Sequence, residues 1–410
     1  MNVNRWLVLF ASLVINLCIG SAYAWSVFQR PLISLFQWST SEASLAFTLS
    51  LSLVPLAMIV AGKVQDQKGP KFVIFTGGII FGAGIIGAGF TQSLTHIYLT
   101  YGVLGGIGIG VIYACTVANT VKWFPDKRGL ASGLVVAGFG SGAVLLAPVA
   151  AGLIQSYGVL ASFQYLGVAY LVTICLAVQF VHVAPAGYRP PGWTPPAPAA
   201  NSNSLDTGVD KGWKEMLADP MFYVLWCMYT IGTISGLMII GHAAPIGQEL
   251  VKLTPQAAAL ALSFLALSNG IGRIAWGWIS DKIGRYPACM AMYVIIGVTM
   301  FMIGGASSFG SFVAALMAIG LCFGGFMGIF PSITADMFGS KNLGMNYGII
   351  FTAYGTAAFI GPRLAARIKE INSGDYTQAF LIAAGLSIGG VLLTLIAQYR
   401  RKRVQAPVTA

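Results

Sequence analysis

One charged residue lies deep inside an apolar run. Arg273 falls in the stretch near 256–279, eight residues before Asp281, and no other charge sits in the middle of a comparable run. If Asp281 marks the water side of a membrane helix, a rise of about 1.5 Å per residue puts Arg273 about 12 Å below that edge. This is near the centre of a hydrocarbon core about 30 Å thick. A lone cation at that depth costs several kcal/mol, so it marks a functional-site candidate. Its chemistry is anion binding. The guanidinium fork meets a carboxylate with two parallel hydrogen bonds and stays charged at every relevant pH. Asn269 lies four residues earlier, on the same helical face. The twelve Asp and Glu residues all sit in loops or near the ends of runs, where none can neutralise Arg273 from within the membrane. One fixed positive charge matches one carboxylate, which points to a monoanion. Two readings stand for Arg273: a substrate ligand, or a structural arginine satisfied by backbone carbonyls. Asn269 positions the guanidinium, bonds the substrate or makes a packing hydrogen bond between helices.

The elements that must position this pair are membrane spans. Hydrophobic residues make up 57% of the 410, charged residues only 9%, and mean hydropathy is +0.78. A soluble protein of this size needs more charge to cover its surface. Apolar runs of about twenty residues recur twelve times, near 6–28, 43–61, 72–92, 97–120, 130–154, 160–182, 221–246, 256–279, 287–306, 310–335, 346–366 and 377–398. The net charge of +11 does not imply nucleic acid. With a cytoplasmic N-terminus and alternating spans, seventeen of the 23 Lys and Arg residues fall inside and five outside, with Arg273 buried. The positive-inside rule then predicts both termini in the cytoplasm of a multi-pass protein of the cell inner (plasma) membrane, with the basic loops facing anionic lipid. Ala22-Tyr23-Ala24 imitates a signal-peptidase site, but eleven further spans favour an uncleaved first helix. The six cysteines fall in apolar runs without metal-ligand spacing, and they read as packing residues.

The chain divides in the middle. Residues 184–211, rich in Pro, Ser, Asn and Gly, read as an exposed linker between an N-terminal bundle (1–183) and a C-terminal bundle (212–410) of six helices each. Residues 213–222 read as a short surface helix leading into the seventh span. The halves repeat. Gly62, Asp66 and Gly69 recur as Gly277, Asp281 and Gly284, all at an offset of 215. Gly133 and Gly348 share that offset, as do Phe139-Gly140-Ser141 and Tyr354-Gly355-Thr356. Two six-helix repeats around a midplane cavity form a transporter architecture. Position 58, the counterpart of Arg273, is Met, so the arginine belongs to one half alone. That asymmetry favours substrate chemistry over scaffold.

The paired segments Gly62-Lys-Val-Gln-Asp66-Gln-Lys68-Gly69-Pro-Lys71 and Gly277-Trp-Ile-Ser-Asp281-Lys282-Ile-Gly284-Arg285 resemble the loop signatures of the major facilitator superfamily. The resemblance covers all twelve spans. It implies an all-α membrane fold of twelve transmembrane helices in two pseudo-symmetric six-helix bundles. It also implies a gate in which Asp66, Lys71, Asp281 and Arg285 form breakable ion pairs between the halves; the plainer reading is topology-setting charge. Tyr23-Ala-Trp25, the Trp123–Gly133 segment and Ser268-Asn269-Gly-Ile-Gly-Arg273 look like the monocarboxylate transporter and oxalate:formate antiporter branch. Proton-coupled animal members of that branch carry an aspartate where Asn269 stands and a lysine near Val27, so their proton relay does not transfer. Oxalate antiporters resembling this chain carry a lysine at the position of Tyr354, and its absence argues against a dianion.

Further candidates are aromatic. Tyr23, Tyr113, Phe326, Phe330 and Tyr354 fall near the centres of their spans, where rings exclude water and phenols bond a carboxylate or hydroxyl. Ordinary helix packing is the competing reading for each. His242 is the only histidine well inside a span. It is the available side-chain proton carrier unless it is simply packed and neutral. Gly106-Ile-Gly108-Ile-Gly110 lies within a span and does not follow a strand, which excludes a dinucleotide loop. Gly138, Gly140 and Gly142 fit close helix contact. No motif calls for a cofactor or metal, ATP or covalent catalysis. The sequence predicts a secondary transporter, not an enzyme, for a small carboxylate anion such as lactate, pyruvate or formate, with a proton as coupled partner. Carboxylate exchange is the first alternative and a membrane carboxylate sensor the second.

Overall fold

The computed structural model describes residues 3–185, 187–193, 210–372 and 375–405. Among these, twelve long helices form the body and no strand occurs. The N-terminal half holds α1 (Arg5–Phe36), α2 (Thr40–Lys68), α3 (Pro70–Ala88), α4 (Leu94–Trp123), α5 (Arg128–Tyr157) and α6 (Val159–Phe180). The C-terminal half holds α7 (Pro220–Leu250), α8 (Pro255–Ile283), α9 (Arg285–Ile303), α10 (Phe309–Phe338), α11 (Leu343–Ile371) and α12 (Thr377–Gln405). The predicted surface helix is present but shorter, Trp213–Ala218. It stops because Asp219 caps α7 from outside, accepting from Met221 N, and Pro220 takes the first helical position. Much of the predicted linker, residues 194–209, lies outside the described residues.

Among the described residues, eleven helices are long and apolar enough to cross a membrane. α8 is also long enough to cross, its 29 residues reaching about 43 Å. Large apolar side chains such as Leu56, Val60 and Phe301 face outward, as lipid contact requires.

Two spans are less regular than their apolar runs suggest. α1 is interrupted by a tight 3₁₀ turn at Ser21–Ala24, and α4 is widened to a π-helix over Tyr98–Gly105. The irregularities face each other: Tyr101 Oη donates to Ala22 O at 3.3 Å. Such breaks release backbone groups that a neighbour must satisfy.

The repeat is visible in the turns and in the contacts. α2 ends and α3 begins at Gly69 (φ +84°), and α8 ends and α9 begins at Gly284 (φ +97°). Only glycine adopts that backbone without strain. The halves meet along two seams, α2 on α11 and α5 on α8 and α10. Gly62 touches the Gly344 backbone, and its repeat partner Gly277 touches Gly129. Gly348 packs on Met58 and Ile59, while Gly133 packs on Arg273 and Ile274. Every one of these pairings is mirrored at an offset of 215.

Candidate functional site

Arg273 is 2% exposed, the largest fully buried polar side chain. Its Nε donates to Asn269 Oδ1 at 3.2 Å and its Nη1 donates to Val136 O of α5 at 2.7 Å. Val136 belongs to the other half. The arginine therefore spans the α5–α8 seam and bonds only neutral acceptors. Among the described residues no carboxylate pairs with it, and no acceptor bonds Nη2. Glycines make room for it. A β-carbon on Gly140 would lie 2.6 Å from Arg273 Cζ, so the guanidinium occupies the space a side chain would take. On the other side, Gly324 packs on Asn269 and Gly328 on the Arg273 backbone, bringing α10 against α8. Gly140 was legible as a contact glycine; what it contacts was not.

Aromatic rings surround this seam. Tyr23 meets Phe139 edge-on with centroids 5.0 Å apart, and Phe139 lies 5.1 Å from Tyr113. Phe351 of α11 packs against Tyr113, Tyr229, Tyr347 and Tyr354 at 5.0–6.2 Å. Phe330 stacks on Tyr229 at 4.1 Å. Tyr23, Tyr113, Phe330 and Tyr354 thus share one belt, and Tyr113 and Tyr354 lie within the field of Arg273. Phe326 sits behind the belt, between Tyr293 of α9 and Gly232 of α7. The sequence reading missed Tyr229, Tyr347 and Phe351. They carry the same ring signal as the named aromatics, but nothing in the chain order brings α4, α7 and α11 together.

The loop signatures converge on one end of the molecule, the basic face. Asp281 accepts from Gly129 N at 2.9 Å and Leu130 N at 2.8 Å, capping α5 from the opposite half. It also binds Arg285 at 2.6 Å. Arg285 and Arg128 both grip the buried Asp336, at 2.9 and 2.6 Å. In the other seam Asp66 accepts from Met345 N at 3.2 Å near the start of α11 and pairs with Lys122 at 3.0 Å. A carboxylate at a helix N-terminus meets free N–H groups and the positive end of the helix dipole. Lys71 is exposed and has no ion-pair partner among the described residues. It follows Gly69-Pro70 on α3 and turns to solvent, so Lys122 of α4 reaches Asp66 instead. Towards Arg273, Ser132 donates to Gly328 O at 2.7 Å and meets Ser332 at 2.9 Å. These ties join the two halves at the basic face.

His242 lies elsewhere. It is 22 residues into α7, about 33 Å from the basic face, whereas Arg273 is ten residues from the end of α8, about 15 Å from that face. Its Nδ1 lies 3.3 Å from Met238 O, and its ring is 5.8 Å from that of Tyr376 on the opposite rim. The structure does not bring it to Arg273.

Two helical repeats packed around a buried cation, with charged loop signatures meeting at one face, define a multi-pass membrane transporter fold and not an enzyme. The chain belongs to the Major Facilitator Superfamily, whose model matches residues 6–362 and again 235–410. It is 32% identical over 384 residues to the oxalate:formate antiporter of Oxalobacter formigenes, covering 93% of this chain and 88% of that protein. It is 25% identical to rat monocarboxylate transporter 13 over 402 residues, 95% and 88% of the two chains. Among solved structures, the proton:xylose symporter XylE aligns with TM-score 0.72 at 13% identity over 96% of this chain and 95% of that one. FucP in its outward conformation aligns with TM-score 0.71 at 16% identity, covering 96% and 98%. These two likenesses concern the fold.

Proposed function

We propose that the protein is a secondary active transporter of small monocarboxylates of the lactate, pyruvate or formate type, with the carboxylate held by Arg273. The observation that carries this reading is a midplane guanidinium bonded only to neutral acceptors, one of them on the opposite half. A carboxylate oxygen is a stronger acceptor than the Val136 carbonyl and competes for Nη1. Binding then alters a contact across the α5–α8 seam, which is what alternating access between the halves requires. Relatives named for oxalate:formate and monocarboxylate transport support the anion class. Proton symport in the cell inner membrane, with the basic face cytoplasmic, is the leading coupling mode. Exchange of one carboxylate for another is the second reading, favoured by the antiporter relative.

The test is labelled lactate uptake into proteoliposomes. Arg273→Ala is expected to reduce uptake at least a hundredfold with normal insertion. Arg273→Lys is also expected to transport poorly, because an ammonium cannot reproduce the fork. Wild-type uptake by Arg273→Ala would remove the reading. An inward proton gradient that drives accumulation without internal carboxylate marks symport; a strict need for internal carboxylate marks exchange.

A further inference from the structure

Three phenols beside the arginine are left short of partners. Tyr113 of α4 and Tyr347 of α11 are buried at 1% and 0%, and neither hydroxyl completes a hydrogen bond. Tyr229 of α7, also at 0%, donates only to Met327 Sδ at 3.3 Å, a weak acceptor. Phe351 packs against all three rings, at 5.6, 6.2 and 5.7 Å, and so gathers the phenols into one cluster. Tyr113 packs on Phe139 at 5.1 Å, beside Gly140, which lies against the Arg273 guanidinium. A buried donor without a good acceptor is costly, and such groups gather where a ligand completes them.

We propose that Tyr229 and Tyr347, with Tyr113, form a second binding pole that reads the oxygen on C2 of the bound monocarboxylate. The inference rests on the carboxylate being held at Arg273. Once one end is fixed there, the smallest acids differ only in what C2 carries. A 2-hydroxy or 2-oxo oxygen satisfies the phenols, while an alkanoate leaves them unmet. A site built to bond a substrate hydroxyl rejects the analogue lacking it far more strongly than an apolar pocket discriminates by one methylene. Tyr113 comes from one half and the other two from the other, so the same oxygen would be gripped by both halves.

Lactate and propionate share a carbon count and differ in the C2 oxygen, which makes them the probes. In wild-type proteoliposomes, propionate is expected to compete with labelled lactate at least tenfold more weakly than unlabelled lactate does. Tyr347→Phe keeps the ring and removes only the oxygen. It is expected to bring the two acids within about threefold, through weaker lactate binding with propionate unchanged or improved. Tyr229→Phe repeats the test if Tyr347→Phe is absent from the membrane. Equal competition in the wild type, or an unchanged ratio in whichever of these variants inserts, overturns the proposal while leaving the Arg273 reading intact. If the wild type carries no monocarboxylate, the functional reading itself fails and the second pole falls with it.

Discussion

The two seams between the halves are built from one plan and differ at one depth. In both, a glycine pair lets backbones touch near the basic face, Gly277 on Gly129 and Gly62 on Gly344. In both, an aspartate of one half caps a helix of the other, Asp281 on α5 and Asp66 on α11. Two turns deeper they part. The α5–α8 seam carries Arg273, whereas the α2–α11 seam carries the fully buried Met58. A thioether packs without partners; a guanidinium demands acceptors and space. The shared features join the halves at both seams, and the unshared one places a charge in one seam only. The difference extends to the facing helix. Gly140 lies against the guanidinium, while a β-carbon on its repeat partner Gly355 would meet only Pro55 Cγ at 3.6 Å.

The largest separation between the seams is expected from that glycine pair. Gly140→Ala puts a methyl 2.6 Å from Arg273 Cζ and must displace the fork or push α5 away. Lactate uptake should fall at least tenfold with the protein still inserted. Gly355→Ala sits at ordinary van der Waals distance and should retain uptake within about twofold. Equal losses in the two variants would mean that both glycines serve helix packing alone, and that the arginine does not distinguish the seams.

A smaller separation is expected at the charged clusters of the basic face. Asp281 joins Arg285, which shares the buried Asp336 with Arg128, whereas Asp66 binds Lys122 and the start of α11. Removing one charge from a buried network leaves its partners uncompensated, a loss of about 3–5 kcal/mol where burial is complete and less where, as here, the side chain is partly exposed. Asp281→Asn should therefore lower the melting temperature in detergent by a few degrees more than Asp66→Asn. A larger shift for Asp66→Asn would show that the smaller cluster holds the halves together.

Much of this was readable in the chain because membrane burial restricts what a residue type can mean. Arg273 stood out by depth, Asn269 by its spacing of four, and the seam glycines by the 215-residue repeat. What was hidden depends on contacts between distant segments. The acceptor from α5 is a backbone carbonyl, and any residue could supply it. Lys71 belongs to the first signature itself, yet the rotation of α4 against α2 lets Lys122 reach Asp66 instead. Asp336 looked like one more helix-end acid until Arg128 and Arg285 met on it. Tyr229 and Tyr347 lie on helices whose approach to α4 no local pattern reports. The breaks in α1 and α4 are equally silent, since an apolar run reads the same whether wound as α, 3₁₀ or π.

Tyr354 and His242 sharpen the comparison at smaller amplitude. Tyr354→Lys brings a second cation into the belt shared with Arg273. A monocarboxylate then leaves one charge uncompensated in a poorly solvated site, whereas a dicarboxylate can neutralise both. The expected outcome is weaker lactate competition and a relative gain for oxalate, read as the ratio between the two acids. An unchanged ratio in a folded variant would place Tyr354 away from the substrate.

His242→Ala should have the least effect. The imidazole sits at the opposite rim, bonded along its own helix and facing Tyr376. It lies roughly 18 Å in depth from the Arg273 backbone, by the helical rises of α7 and α8. Across such a separation a change of charge is largely screened at the wetter rim. Lactate uptake at fixed pH should stay within about twofold of wild type, with the same pH profile. A flattened profile would instead make the rim histidine the coupled proton's carrier. Coupling would then run the length of α7, with substrate and proton bound at separate depths and not at one midplane site. The comparison of seams would then describe substrate binding alone, and proton movement would belong to the half-helix above it.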